Sequence, residues 1–165
     1  MGKTELLTQD FKQKIFEIDK ANVRAGILKV EKKIEELPNS VKGKELDTLC
    51  PLKHKFVDGA YIREIFMPKG TLLTSKIHKI CHPYFVMKGE CSVLTDEGVV
   101  KIKAPYSGIT QPGTKRVLYI HEDTTWITVH VTKHKDLKQI EEEIIAKTFD
   151  EVLPSPEEIL QLKEA

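Results

Sequence analysis

The chain has 165 residues, 26 Lys and Arg against 25 Asp and Glu, and a hydrophobic fraction of 40%. That length fits one domain with modest extensions, and the apolar share suffices for a core. The formal net charge of +1 gives no global excess of the kind that seeks nucleic acid or an anionic membrane, and neither is expected as a partner.

The first residues, MGKTELLTQDFKQK, lack the apolar stretch of a secretory signal, and Leu6 stands where a myristoylation motif needs Ser or Thr. No apolar run approaches the ~20 residues that span a bilayer. Residues 1–40 read as a helical arm. Phe11, Ile15 and Ile18 recur at helical spacing, as do Ile27, Val30, Ile34 and Leu37, with Lys and Glu between them. Gly26 weakens the middle, so one or two helices fit, and Pro38-Asn39-Ser40 ends the zone. Such an arm either packs on its own domain or drives oligomerisation. A polar linker, Val41 to Leu49, follows.

Residues 50–133 change period. Ala60–Phe66, Tyr84–Met87, Cys91–Thr95, Val99–Lys103, Val117–Ile120 and Trp126–Thr132 alternate as strands do. Turn chemistry separates them at Asp58-Gly59, Pro68-Lys69-Gly70, Lys88-Gly89, Asp96-Glu97-Gly98, Ser107-Gly108, Pro112-Gly113 and His121-Glu122-Asp123. Short strands at near-regular spacing predict a mainly β sandwich or barrel. Cys50, Cys81 and Cys91 make an odd count without a CxxC pair, which fits reduced thiols in a cytosol-like compartment. Residues 135–165 form a helical tail. Leu137, Ile140, Ile144 and Ile145 share a face, Asp136 is a natural N-cap, and Ser155 and Pro156 start a second short helix to Lys163.

The segments PKGTLLTSKIHKICHPYFVMKGECSV and YSGITQPGTKRVLYI resemble the two motifs of the cupin superfamily, small double-stranded β-helix barrels. Gly70 opens the first motif and Gly89 closes it; Lys76 stands at the first histidine position, His78 at the second, and His82 where the family has glutamate. In the second motif Arg116 takes the last ligand position, three residues after Gly113. The stretches SKIHK, HP, APY and PGTKRVLYIHEDT are similar to cupin-like proteins of tailed phages and prophages. The resemblance implies a cupin or jelly-roll barrel with N-terminal and C-terminal helical extensions. It also implies a setting in the virion or in the cytoplasm of an infected or lysogenic bacterium, with phage structural proteins as candidate partners and self-association as a homodimer or higher homo-oligomer.

On the last strand Trp126, Thr128, His130 and Thr132 share one face, and Ile127, Val129 and Val131 the other. If the polar face looks inward, His130 joins His78 and His82, and imidazoles can hold Zn, Ni, Cu or Fe. Lys76 and Arg116 are cations that repel such an ion. Without metal, the same residues form an anion pocket in which Tyr84, Tyr106 and Trp126 are stacking walls. Structural roles compete throughout. Arg116 can pair with Glu64 or Glu90; Cys81 is either a ligand or a small buried hydrophobe. His121 sits in a turn, and His54 and His134 flank the strands in solvent. Neither a G-x-S-x-G elbow nor a phosphate-cradling loop is present. Three function classes remain. The first is a non-catalytic binding or virion-associated protein, which the departures from the ligand set favour. The second is a metal-dependent dioxygenase or isomerase. The third is a binder of a small anionic ligand such as a nucleotide or sugar phosphate.

Overall fold

A computed structural model describes residues 2–152, with side chains from residue 19 onward. The stripe of Phe11, Ile15 and Ile18 therefore lies outside the described side chains, and the expected helix from Pro156 to Lys163 outside the described residues. A single helix, α1 (Gly2–Glu35), runs through Gly26 without a break, and the short α2 (Lys44–Leu49) occupies the expected linker. Strands β1 (Leu52–Val57), β2 (Ala60–Met67), β3 (Leu72–Thr74), β4 (Ile77–His78), β5 (His82–Thr95), β6 (Gly98–Lys103), β7 (Tyr106–Thr110) and β8 (Val117–Val131) follow. The helix α3 (Leu137–Ile144) and a two-residue β9 (Ile145–Ala146) complete the order. No helix among the described residues is long and apolar enough to cross a membrane.

Seven strands form one antiparallel sheet in the order β1-β2-β8-β5-β6, with β3 also on β8 and β7 also on β5, and β4 and β9 pair as a separate two-stranded sheet. The chain is thus mainly β with helices before and after, the rolled jelly-roll class expected from its sequence. Two long strands carry the roll. The start of β8 pairs with β3 and its end with β2, while β5 lies along both halves.

Three expected turns are instead strand. Lys88-Gly89 is a bulge inside β5, where the register to β8 shifts repeatedly between Val86 and Cys91. Gly89 has φ 92°, and a Cβ there would stand 2.4 Å from the Asp123 carbonyl oxygen, so the close approach demands glycine. The bulge switches parity: His82, Tyr84 and Val86 point inward before it, Cys91 and Val93 after it. His121-Glu122-Asp123 continues β8 opposite this bulge. Ser107-Gly108 belongs to β7, and Gly108 leaves room for the Tyr84 ring, which a Cβ would meet at 2.5 Å.

At one end of the roll Val86, Cys91, Val93, Ile102, Leu118 and Ile120 make a conventional core. The second half of α1 packs on the same domain. Ile27 is fully buried, Arg24 pairs with Asp96 at 2.5 Å, and the buried Lys115 donates to Glu31 at 2.8 Å and to the Ser75 carbonyl at 2.7 Å. Asp136 caps α3 by accepting from the Gln139 amide at 3.0 Å, as its position predicts. Ile145 does not extend the α3 stripe; it pairs with His78 as β9 against β4, so the tail's first part is woven into the barrel.

Candidate functional site

The other end of the roll is lined by polar side chains in cross-strand rows. Alternation puts Tyr61, Arg63, Ile65 and Met67 of β2 on the inner face, and the register fixes their neighbours. Tyr61 lies opposite His130, Arg63 opposite Thr128, and Ile65 opposite Trp126. On the far side of β8, Tyr84 lies opposite Thr128 and Val86 opposite Trp126. On β7, Thr110 faces His82 and Gly108 faces Tyr84. One row thus contains Tyr61, His130, His82 and Thr110; the next, Arg63, Thr128, Tyr84 and Gly108. The third begins Ile65, Trp126, Val86. The polar face of the last strand is the inner one: Trp126, Thr128, His130 and Thr132 are all buried, while Val131 is 84% exposed.

The three histidines singled out in the sequence come together. His82 lies 4.6 Å from His78 and 4.2 Å from His130, ring centre to ring centre, with His78 to His130 at 6.3 Å. Burial pushes His78 down to about 2, with His82, Arg116, His130 and Arg63 adding repulsion. Burial likewise takes His130 to about 3, and lowers His82. All three are neutral imidazoles at physiological pH. His82 Nδ1 donates to the Ile80 carbonyl at 3.0 Å, which leaves Nε2 as a bare acceptor. His82 Nε2 and His78 Nδ1 are buried without a hydrogen-bond partner among the described residues.

Two guanidiniums face this interior. Arg116 is buried, donates to Thr110 Oγ1 at 2.7 Å, and stands 5.0 Å over the Tyr84 ring and 5.7 Å over Trp126. It does not pair with Glu64 or Glu90. Glu64 takes Lys53 at 3.0 Å and Glu90 takes Lys101 at 2.6 Å, because both carboxylates sit beside lysines on paired strands. Arg63 was missed in the sequence, although a cation between Tyr61 and Ile65 on an alternating strand is a legible signal. Burial lowers the pKa of both arginines without discharging them. Among the described residues no carboxylate reaches either in an ion pair. Lys76, by contrast, is exposed at the rim and paired with Glu141 of α3.

Beside them lies a cavity of about 360 Å³, which His78 and His130 line but His82 and Thr110 do not. Arg63, Lys76, His78, Arg116, Trp126 and His130 supply its polar and aromatic wall; α2 and α3 close it with Leu46, Leu137, Ile140 and Ile144. Tyr84 and Tyr106 stack at 6.1 Å but line a second cavity of about 270 Å³, which shares Arg116 with the first. The remaining candidates separate from the site. Cys81 is exposed, neither buried nor beside the imidazoles as a ligand, because it precedes β5 in a surface loop. His121 bonds Ser92 at 2.7 Å on β8. His134 is exposed as expected, whereas His54 lies within β1, its Nδ1 2.7 Å from the Tyr61 hydroxyl.

Cupin-type barrels imply a metal, so the donor set bears testing. Two orphaned imidazole nitrogens favour an ion. Yet no group of three His, Cys, Asp or Glu side chains among the described residues is placed to hold one. Among the described residues the two carboxylates that line the cavity, Asp47 and Glu141, form no ligand group with the imidazoles, and Arg63 and Arg116 put positive charge beside the histidines. The residues as arranged do not fit a divalent ion.

No family model matches the chain, and no curated protein does. Among solved structures it is similar to a cupin-2 domain protein from Shewanella frigidimarina (7% identity, 49% of this chain and 79% of that one, TM-score 0.41). It is also similar to the Schizosaccharomyces pombe Cnp3 cupin domain (14%, 63% and 75%, TM-score 0.45). A salicylate 1,2-dioxygenase from Pseudaminobacter salicylatoxidans aligns at 9% identity over 58% of this chain and 28% of that one, TM-score 0.47. The fold assignment rests on the strand order and register, since every one of these scores lies below 0.5.

Proposed function

We propose that this chain is a non-catalytic binding protein of cupin type that holds a small anionic ligand inside its barrel. One observation carries the reading: Arg63 and Arg116 face the same interior with no carboxylate partner among the described residues. Arg116 is buried and Arg63 half-buried; charge withdrawn from water without a counter-charge is costly, and an anion held by the guanidiniums removes that cost while gaining charge-assisted hydrogen bonds. The neutral imidazoles, Trp126 and the aliphatic wall suit a partly apolar body. Lys76, paired with Glu141, guards the entrance rather than gripping the ligand. The phage or prophage setting and the homo-oligomer implied by the sequence resemblance belong to this proposal.

A thermal-shift screen of nucleotides, sugar phosphates and small carboxylates tests it, because a ligand that binds only the native state must raise Tm; at 100 times Kd the gain is about 2.7 kcal/mol. Hits should vanish in Arg63→Met and Arg116→Met. A screen without hits would sink the reading. The metalloenzyme alternative draws on the orphaned nitrogens of His78 and His82. Elemental analysis tests it: about one equivalent of transition metal, lost in His78→Ala/His82→Ala, would replace the anion pocket with a metal site and justify oxygen-dependent activity screens for a dioxygenase or isomerase.

A further inference from the structure

Along β2 the wall of the larger cavity changes from polar to apolar. Tyr61, Arg63, Ile65 and Met67 alternate inward on this strand, and all four line the cavity. From Arg63 to Met67 the strand advances roughly 14 Å, at ~3.4 Å per residue. The lining of β8 changes in the same sense: His130 and Thr128 lie opposite Tyr61 and Arg63, and Trp126 opposite Ile65. Beyond Trp126 the lining is Met67, Leu118, Leu73 and Cys50, which pack together as part of the conventional core. A space with such walls holds water poorly and takes apolar groups. Arg63 is the cation next to this apolar end, half-buried and without an ion pair among the described residues. Of the two carboxylates that line the cavity, Glu141 is paired with Lys76 and Asp47 is exposed on α2.

We propose that the ligand is an unbranched medium-chain carboxylate, with its head at Arg63 and its tail running past Ile65 and Trp126 to Met67 and Leu118. This rests on the anion-pocket reading and adds the aliphatic tail and its direction. Arg116 also lines the cavity, but Thr110 and the Tyr84 and Trp126 rings already hold it, so the head is assigned to Arg63. The volume sets the length. About 360 Å³ accommodates roughly 12 methylene-sized groups at ~30 Å³ each, the share of one water in the liquid, which is the non-hydrogen atom count of decanoate.

Isothermal titration calorimetry of the full chain with butyrate, hexanoate, octanoate, decanoate and dodecanoate tests it. Two further compounds separate the parts: 1-octanol lacks the acid, and glucose 6-phosphate is an anion without a tail. Affinity should rise about fourfold per methylene from butyrate to decanoate, the gain from burying one such group, and stop rising at dodecanoate. 1-Octanol should bind about tenfold or more weakly than octanoate, because it lacks the charge-assisted bond. Arg63→Met should weaken octanoate by about the same factor and leave 1-octanol unchanged. In Leu73→Trp, checked for folding by circular dichroism, the rise should stop at a shorter chain, because the indole fills the tail's end of the cavity. Equal binding of butyrate and decanoate would overturn the tail and leave the anion pocket standing, as would binding of glucose 6-phosphate alone. 1-Octanol binding as tightly as octanoate would overturn the head and the anion pocket with it. A rise that continues through dodecanoate, or that a folded Leu73→Trp leaves unchanged, would put the tail outside this cavity and overturn the proposal. If neither the carboxylates nor the phosphate binds, the anion pocket falls too. The wild-type series decides the matter even where Leu73→Trp does not fold.

Discussion

The two ends of β5 and β8 face the same interior with opposite chemistry. Toward the start of β8 the inward positions are Leu118 and Ile120, facing Cys91 and Val93 of β5. Toward its end they are Thr128 and His130, facing Tyr84 and His82. The same two strands pair on both sides of the Gly89 bulge, so strand pairing as such does not account for the difference. At the first end burial is favourable by itself, at ~25 cal/mol per Å² of apolar surface. At the second end desolvated imidazoles and guanidiniums oppose folding unless something compensates them. The outer face there mirrors this: Met87 and Ile109 are each 60% exposed and Val131 more so. A strand with its polar residues inside and its apolar residues outside has exchanged stability for a lined cavity, as binding sites commonly do.

The largest effect should come from the apolar end. Ile120→Ala should cost about 4 kcal/mol, because a fully buried side chain leaves a cavity that the surrounding strands cannot fill. Urea denaturation measures it; a loss under 1 kcal/mol would mean the two ends are not as different as their packing implies.

Acid should act at the other end. His78, held at about 2, and His130, held at about 3, stay unprotonated when folded, whereas the unfolded imidazoles titrate near 6.5. Their folded values are depressed, so the unfolded state binds more protons below pH 6.5. Their contribution is complete above that pH and is lost as pH falls toward the folded values. Between pH 7 and 5 the two together should remove about 3 to 4 kcal/mol. That window lies above the ordinary carboxylate range. His130→Asn should flatten roughly half of the slope in melting curves recorded across it; an unchanged slope would show that His130 does not titrate in this way.

Removing the interior cations should separate stability from binding. Arg63→Met or Arg116→Met should leave the free energy of unfolding within about 1 kcal/mol of wild type, or raise it, since Arg116 is a buried charge and Arg63 a half-buried one, neither with an ionic partner among the described residues. A loss of 3 kcal/mol or more would mean the arginine holds the fold together and has no need of a ligand.

The smallest effect belongs to the outer face. Val131→Lys should change stability by less than about 0.5 kcal/mol, because the side chain is already in water. Light scattering on the same variant has a separate use: a fall in molecular mass would place a second copy on this face.

Much of this contrast is legible in the residues. The alternation of Trp126, Thr128, His130 and Thr132 defines a polar face, and the turns at Asp58-Gly59, Pro68–Gly70, Asp96–Gly98 and Pro112-Gly113 stand where their chemistry puts them. Asp136 caps α3 for a purely local reason. Arg63 escaped notice because a charged residue in a strand is ordinarily taken as solvent-facing, and only its parity with Tyr61 and Ile65 says otherwise. Gly89 reads locally as a turn because glycine serves turns and bulges through the same positive φ.

The sequence by itself determined the period of each segment, the places where the chain must turn, and which side chains share a face, since these depend on residues a few positions apart. Tertiary structure alone decided which face looks inward, that β5 passes through Gly89 without turning back, and that Lys76 meets Glu141 from α3. It also decided that His82, on one strand, meets His130 from a strand 48 positions further along. Such pairings are set by sheet register and by the closing of the roll, long-range outcomes that no local pattern encodes.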